Sequence, residues 1–242
     1  MVGVLGLTLG LLTGPAKASE GSVPSSRSFA DAFFVAFRIP NTFRRLFGEG
    51  SFNAAFVPSY SKELVKGKRR SVNFANNIFN LLTIFLLALV LLVELFMPFF
   101  VSLIAPGFKS NPEKFALATH LTKITFPFIL FVSLASFFSA ILNSHNRFAA
   151  ASAAPIILNI VMIGILICGK VLGEKLVIYL SYGVSIAGFI QSIFLIIFVK
   201  KFFKPKLKFN FNISKEVKLF FKKLLPSIFS SGVTQINILV GT

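Results

Sequence analysis

LVIYLSYGVSIAGFIQSIFLIIFV, residues Leu176–Val199, runs for 24 residues without a charge. At ~1.5 Å per residue it makes ~36 Å of helix, more than the ~30 Å hydrocarbon core of a bilayer. Runs of the same kind lie on both sides of it. Ser71–Val93 is charge-free and continues past Glu94 to Ile104, ending in the turn signal Ala105-Pro106-Gly107. Ile124–Leu142 contains Pro127, Phe148–Gly169 contains Pro155 and Asn159, and Leu224–Gly241 is the last apolar segment. The 242 residues are 55% hydrophobic and 14% charged, with mean hydropathy +0.82. A soluble domain carries about 25% charged residues. These runs predict an all-α integral membrane protein, a polytopic bundle of about six to seven transmembrane helices.

The net charge of +17 sits mostly between the apolar runs. Ser59–Arg70, Asn143–Arg147 and Lys200–Lys223 carry fifteen Lys or Arg, against four in Lys109–Lys114 and Lys170–Lys175. The positive-inside rule puts the three basic connections on the cytoplasmic side, where they meet anionic headgroups. Ser59–Arg70 reads as a polar loop and Lys200–Lys223 as a long basic connection that can also lie on the membrane surface. Most of the 32 Phe fall in the spans and not in a basic groove, so a nucleic-acid platform is not supported. Cys168 is the sole cysteine and reads as a small buried apolar residue. His120 and His145 lie at span edges, and no Cys/His/Asp/Glu cluster has metal spacing. No cofactor is expected.

One segment breaks the pattern of uncharged spans. DAFFVAFRIPNTFRRLFGEGSFNAAFVP, Asp31–Pro58, is Phe-rich and helical in pattern, yet carries Asp31, Arg38, Arg44, Arg45 and Glu49. Charges in a spanning helix are expensive and usually face a partner or a water-filled cavity. On a straight helix Asp31, Arg38, Arg45 and Glu49 fall on one stripe, while Arg44 joins them only if Pro40 turns the second half. Guanidinium pairs two phosphate oxygens at once, so an Arg pair at the inner end of a span suits a phosphate-bearing headgroup. The competing reading is a snorkelling cytoplasmic boundary, with Asp31 as an N-cap. Arg38 is the deepest charge. Glu94 and Lys123 read as interfacial. The amides Asn159, Gln191, Gln235 and Asn237 read as bonds between helices.

Residues 1–28 form an atypical N-terminal segment. Its short apolar run ends in Ala16-Lys17-Ala18 and a Ser/Gly/Pro-rich link. A signal-like stretch, a degraded first helix and foreign sequence are the three readings. Residues 29–242 form the expected helical bundle.

No nucleophile has a base at motif spacing, and there is no nucleotide-binding loop. The chain is expected not to be an enzyme. If it transports, a gradient or the membrane potential must drive it, the latter worth ~2.3 kcal/mol per charge per 100 mV.

Asp31–Pro58 resembles the second transmembrane region of the MurJ (MviN) family of lipid II flippases. The likeness extends through APGF at Ala105–Phe108, FALATHLTKITFPFI at Phe115–Ile129 and AILNSHNRFAAASAAP at Ala140–Pro155, and returns in LPSIFSSGVTQINILV at Leu225–Val240. The resemblance implies the multidrug/oligosaccharidyl-lipid/polysaccharide exporter superfamily, with two helical lobes around a cationic cavity. It implies flipping of undecaprenyl-pyrophosphate-linked muropeptide, lipid II, across the bacterial inner membrane by alternating access, in peptidoglycan and cell-wall biogenesis. Arg44 matches an arginine the family needs, and Asp31, Arg45 and Glu49 match the same motif. Residues 1–28 lack the family's first-helix Ser-Arg…Gly-Phe-x-Arg-Asp pattern, and the chain stops within the seventh helix. The expected architecture is therefore an N-terminal lobe, truncated in that helix. Two further readings are a flippase for another polyprenyl-pyrophosphate-linked glycan and a non-functional remnant of a disrupted gene. A membrane enzyme acting on polyprenyl phosphates would need paired acids in a loop, and the loops hold isolated ones.

Overall fold

The apolar runs fold as helices, and most of the polar stretches between them contract to turns. A computed structural model describes residues 26–48, 51–169, 175–207 and 214–240, and all regular structure among them is helical. In chain order the helices are α1 (Ser26–Gly48), α2 (Ser51–Val65), α3 (Lys68–Leu95), α4 (Met97–Ile104), a 3-10 turn (Pro106–Ser110), α5 (Pro112–Thr125), α6 (Phe128–Ser144), α7 (Phe148–Ile167), α8 (Leu176–Val199) and α9 (Lys215–Val240). Among the described residues, four stretches are long and apolar enough to cross a membrane: α3, α5 with α6, α7 and α8. Helices α1 and α9, at 23 and 26 residues, also have spanning length but carry charges. Large apolar side chains such as Phe85, Leu91, Ile160, Ile163, Ile193 and Ile197 point outward from α3, α7 and α8, and Cys168, expected to be buried, is exposed at the end of α7. Helices apolar on their outer faces need a hydrocarbon solvent. The chain is a multi-pass membrane protein.

Two reversals differ from expectation. Ser59–Arg70 is not a loop, because α2 continues to Val65 and α3 begins at Lys68. Lys, Glu, Leu and Arg are good helix formers, so polarity here marks a solvated helix surface and not a chain break. Glu63 and Lys66 pair at 2.6 Å across one turn. The reversal rests on Gly67, whose φ of 128° is a region that side-chain-bearing residues avoid. Likewise, the basic connection Lys200–Lys223 is helical from Lys215 onward. The start of α5 follows from local chemistry: the Asn111 side chain accepts the Lys114 N–H at 3.0 Å, with Pro112 in the first turn.

The bundle closes along a seam of small residues. On α8, the Ser185 hydroxyl donates to the Ile124 carbonyl at 2.5 Å and the Ser192 hydroxyl to the Phe131 carbonyl at 2.8 Å. Gly188 lies between them, and a Cβ there would meet the Phe128 ring at 2.5 Å. Small residues at this spacing let helices approach closely in a membrane. Ile124 lies just before the Phe126-Pro127 break between α5 and α6, where Pro127 has no N–H to donate. A second core is aromatic. Phe56 of α2 lies 5.2 Å from Phe137 of α6 and 6.0 Å from Phe220 of α9, and Phe74 of α3 lies 6.2 Å from Phe220.

Candidate functional site

Helix α1 has an inward and an outward face, and its charges divide between them. Ala32, Phe33, Ala36, Phe37 and Pro40 are buried. Phe33, Phe37, Pro40 and Arg44 recur at four, three and four residues, the spacing of one helical face. Arg44 therefore shares the phase of the buried side without any turn at Pro40. Asp31 and Arg38 are exposed.

Arg44 opens onto a cavity of about 510 Å³. Its walls come from α1, α2, α6, α7 and α8. The polar groups are Arg44 and Asn53, then Ser136, Ser139 and Asn143 from α6, Ser152 and Asn159 from α7, and Gln191 from α8. Apolar lining from Val132, Leu158 and Leu195 separates them. Arg44 Nε donates to Asn41 Oδ1 at 3.3 Å, which fixes the plane of the guanidinium. Deeper in, Asn159 Oδ1 and Gln191 Nε2 are buried and have no hydrogen-bond partner among the described residues. Gln191 is only 4% exposed. An unmatched amide in an apolar span is costly, so a pair of them lining one cavity marks space for a polar ligand or water. Asn159 lies about three turns into α7, well inside the bilayer.

The sequence-predicted residues scatter. Asp31 does not line the cavity. Its Oδ2 pairs with Lys114 Nζ of α5 at 2.7 Å, and that ammonium also lies 4.4 Å above the Phe108 ring. Arg38 is on the outward face, where its carbonyl accepts the Thr42 hydroxyl at 2.9 Å. Arg45 lies in α1, and its side chain is outside the described residues, as is the whole of Glu49. Of the expected stripe and Arg44, only Arg44 reaches the cavity among the described residues. The expectation that Asn159 and Gln191 bond between helices is corrected, since these amide atoms have no hydrogen-bond partner among the described residues and both residues line the cavity. Asn53, Ser136, Ser139, Asn143 and Ser152 went unread. Ser136, Ser139 and Asn143 share one face of α6 at three- and four-residue spacing, and that was the available signal. Among the described residues no three His, Cys, Asp or Glu side chains converge as metal ligands.

The model of the lipid II flippase MurJ family matches residues 26–242. This chain belongs to the MurJ lipid II flippase family. A MurJ relative from Rhizobium meliloti (strain 1021), named as a probable lipid II flippase, is 40% identical over 227 residues, covering 88% of this chain and 41% of the relative. Another from Rickettsia prowazekii (strain Madrid E) is 37% identical over 221 residues, covering 90% and 43%. A solved structure described as lipid II flippase MurJ in an inward closed conformation superposes with a TM-score of 0.70 at 30% identity. It is covered over 43% of its length by 88% of this chain. The chain thus spans less than half the length of these MurJ relatives and matches their N-terminal portion.

Proposed function

We propose that this chain supplies one lobe of a flippase that moves lipid II across the bacterial inner membrane, with Arg44 holding the pyrophosphate. The observation that carries the reading is the composition of the cavity: a guanidinium, then serines and asparagines, then two unmatched amides within apolar spans. Its volume of about 510 Å³ falls in the ~300–1,000 Å³ range of ligand pockets. A planar fork suits a diphosphate, and amide and hydroxyl groups suit sugar and peptide polar groups. By the positive-inside rule the Arg44 end of the cavity would face the cytoplasm, where a cytoplasmically made precursor would enter. No nucleotide motif is present in the sequence, so the drive would come from a gradient or the membrane potential. Alternating access would then move the headgroup past a fixed site. Arg45 and Glu49 are assigned to the same headgroup path as supporting charges, whereas Asp31 and Arg38 lie off the cavity, and residues 29–242 are assigned to the bundle that carries it.

The test is replacement of the matched portion of the Rhizobium meliloti relative by this chain in a MurJ-depleted bacterium. Rescue by the chimera, and loss of rescue with Arg44→Ala at equal membrane abundance, is the expected result. Arg44→Lys keeps the charge and removes the fork, so it should rescue poorly. Full rescue by Arg44→Ala overturns the clamp. Failure of the unmutated chimera, with lipid II accumulating, overturns the substrate.

A further inference from the structure

A second concavity, of about 640 Å³, shares no residue with the Arg44 cavity. It lies where two spans reach the basic side: the first turns of α3 and the residues that follow the end of α8. Lys68, Lys200, Lys201, Lys204 and Lys206 line it. Among the described residues none of these five pairs with a carboxylate. The opposite wall is an amide ladder, Asn73, Asn76, Asn77 and Asn80, which recurs at three, one and three residues along one face of α3. It extends about 10 Å along the helix axis. Asn76 Oδ1 accepts the backbone N–H of Lys206 at 3.2 Å and so pins the lysine segment onto α3.

Topogenic charge explains lysines after a span. It does not explain four asparagines on one face of a transmembrane helix, with Asn80 only 5% exposed, or a folded strap of lysines laid against them. Ammonium groups on one wall and amide N–H donors on the other form a site for an oxyanion. Its depth is that of the headgroup layer, because both walls are span ends.

We propose that this pocket binds the phosphate of an anionic membrane lipid in the cytoplasmic leaflet. The lysines would neutralise the phosphate charge, and Asn73 and Asn77 would donate to its ester oxygens. The acyl chains would lie along the exposed apolar sides of α3 and α8. The site would tie α3 to the end of α8 through a bound lipid.

Purified chain in neutral detergent is titrated with phosphatidylglycerol or phosphatidylcholine and read by native mass spectrometry, with inorganic phosphate as the soluble competitor. The expected preference for phosphatidylglycerol is at least about ten-fold. Asn73→Leu/Asn77→Leu, which keeps every charge, and Lys200→Gln/Lys204→Gln should each cut it to about two-fold or less. Lys218→Gln/Lys222→Gln removes two exposed charges of α9 outside the pocket and should leave it unchanged. The ratio of two lipids on one sample cancels any loss of folded protein. An undiminished preference in the asparagine pair, or an equal loss in the α9 pair, reduces the lysines to a solvated face and overturns the site. Displacement of phosphatidylglycerol by millimolar inorganic phosphate overturns the lipid assignment in favour of a soluble anion.

Discussion

The Thr125 hydroxyl donates to the carbonyl of Ala36 at 2.9 Å, in the buried contact between α5 and α1. Ala36 is the residue whose carbonyl Pro40, lacking an N–H, cannot serve. A neighbouring helix therefore supplies the hydrogen bond that the proline removes, which is how prolines persist in membrane helices. Thr125→Val keeps the shape and orphans the carbonyl, at an expected cost of ~1–3 kcal/mol. In a Pro40→Ala background the helix satisfies Ala36 itself, and the same change should cost clearly less. Thermal unfolding in detergent of the four proteins of that cycle gives the coupling. Equal cost in both backgrounds would show that the two residues are independent.

The close approach at Gly188 makes a paired prediction. A Cβ there meets Phe128 at 2.5 Å and Phe131 at 3.2 Å, whereas at Gly164 nothing lies within 4 Å. Gly188→Ala should destabilise by ~1–3 kcal/mol through overpacking. Gly164→Ala should be neutral or stabilising by up to ~1 kcal/mol from helix propensity. Melting temperatures of the two variants should move in opposite directions or, at the least, differ clearly.

Asn159 and Gln191 separate a ligand site from a packing bond. If they line a transport cavity, Asn159→Leu and Gln191→Leu leave stability unchanged or raise it, because an unmatched buried amide is removed. Transport should fall in both. Lowered melting temperature with intact rescue in the chimera would assign them to packing.

His145 caps α6 on the basic side. Its Nε2 lies 3.1 Å from the Tyr60 hydroxyl, and its ring stacks on Phe202 with centroids 4.1 Å apart. Burial, and then the nearby Lys68 charge, hold its pKa below the ordinary 6.5. The folded protein thus keeps the neutral ring while the unfolded chain takes up a proton. Stability should be independent of pH for this group above the unfolded value. It should fall as pH drops from 6.5 towards the depressed folded value, and level off below that. His145→Gln should flatten this part of a melting-temperature profile. An unchanged slope would place its origin elsewhere.

The spans were legible because an uncharged run of membrane length has few alternatives, and α8 matches Leu176–Val199 residue for residue. The Phe126-Pro127 break was not read: Ile124–Leu142 reads as one run, although Pro127 was the available signal. The Ser59–Arg70 segment was misread because polarity reports solvation and not chain direction. For α1, a charge stripe drew the eye to Asp31 and Arg38, yet the inward face is set by Phe33, Phe37 and Pro40, with Arg44 in phase. Apolar residues decided the orientation, and the charges followed. The cavity that Asn159 and Gln191 both line and the Thr125–Ala36 bond bring together residues far apart in sequence, and nothing local announces them.

The aromatic cluster sets an order of assembly. Phe52 and Phe56 stack on each other at 5.3 Å, and Phe137 joins from α6, but Phe220 arrives from α9, which is made after all three of those elements. Until α9 emerges from the ribosome, α2, α3 and α6 hold an open aromatic socket. Nascent chains halted before Lys215 should therefore insert without locking, and be degraded faster than chains carrying α9.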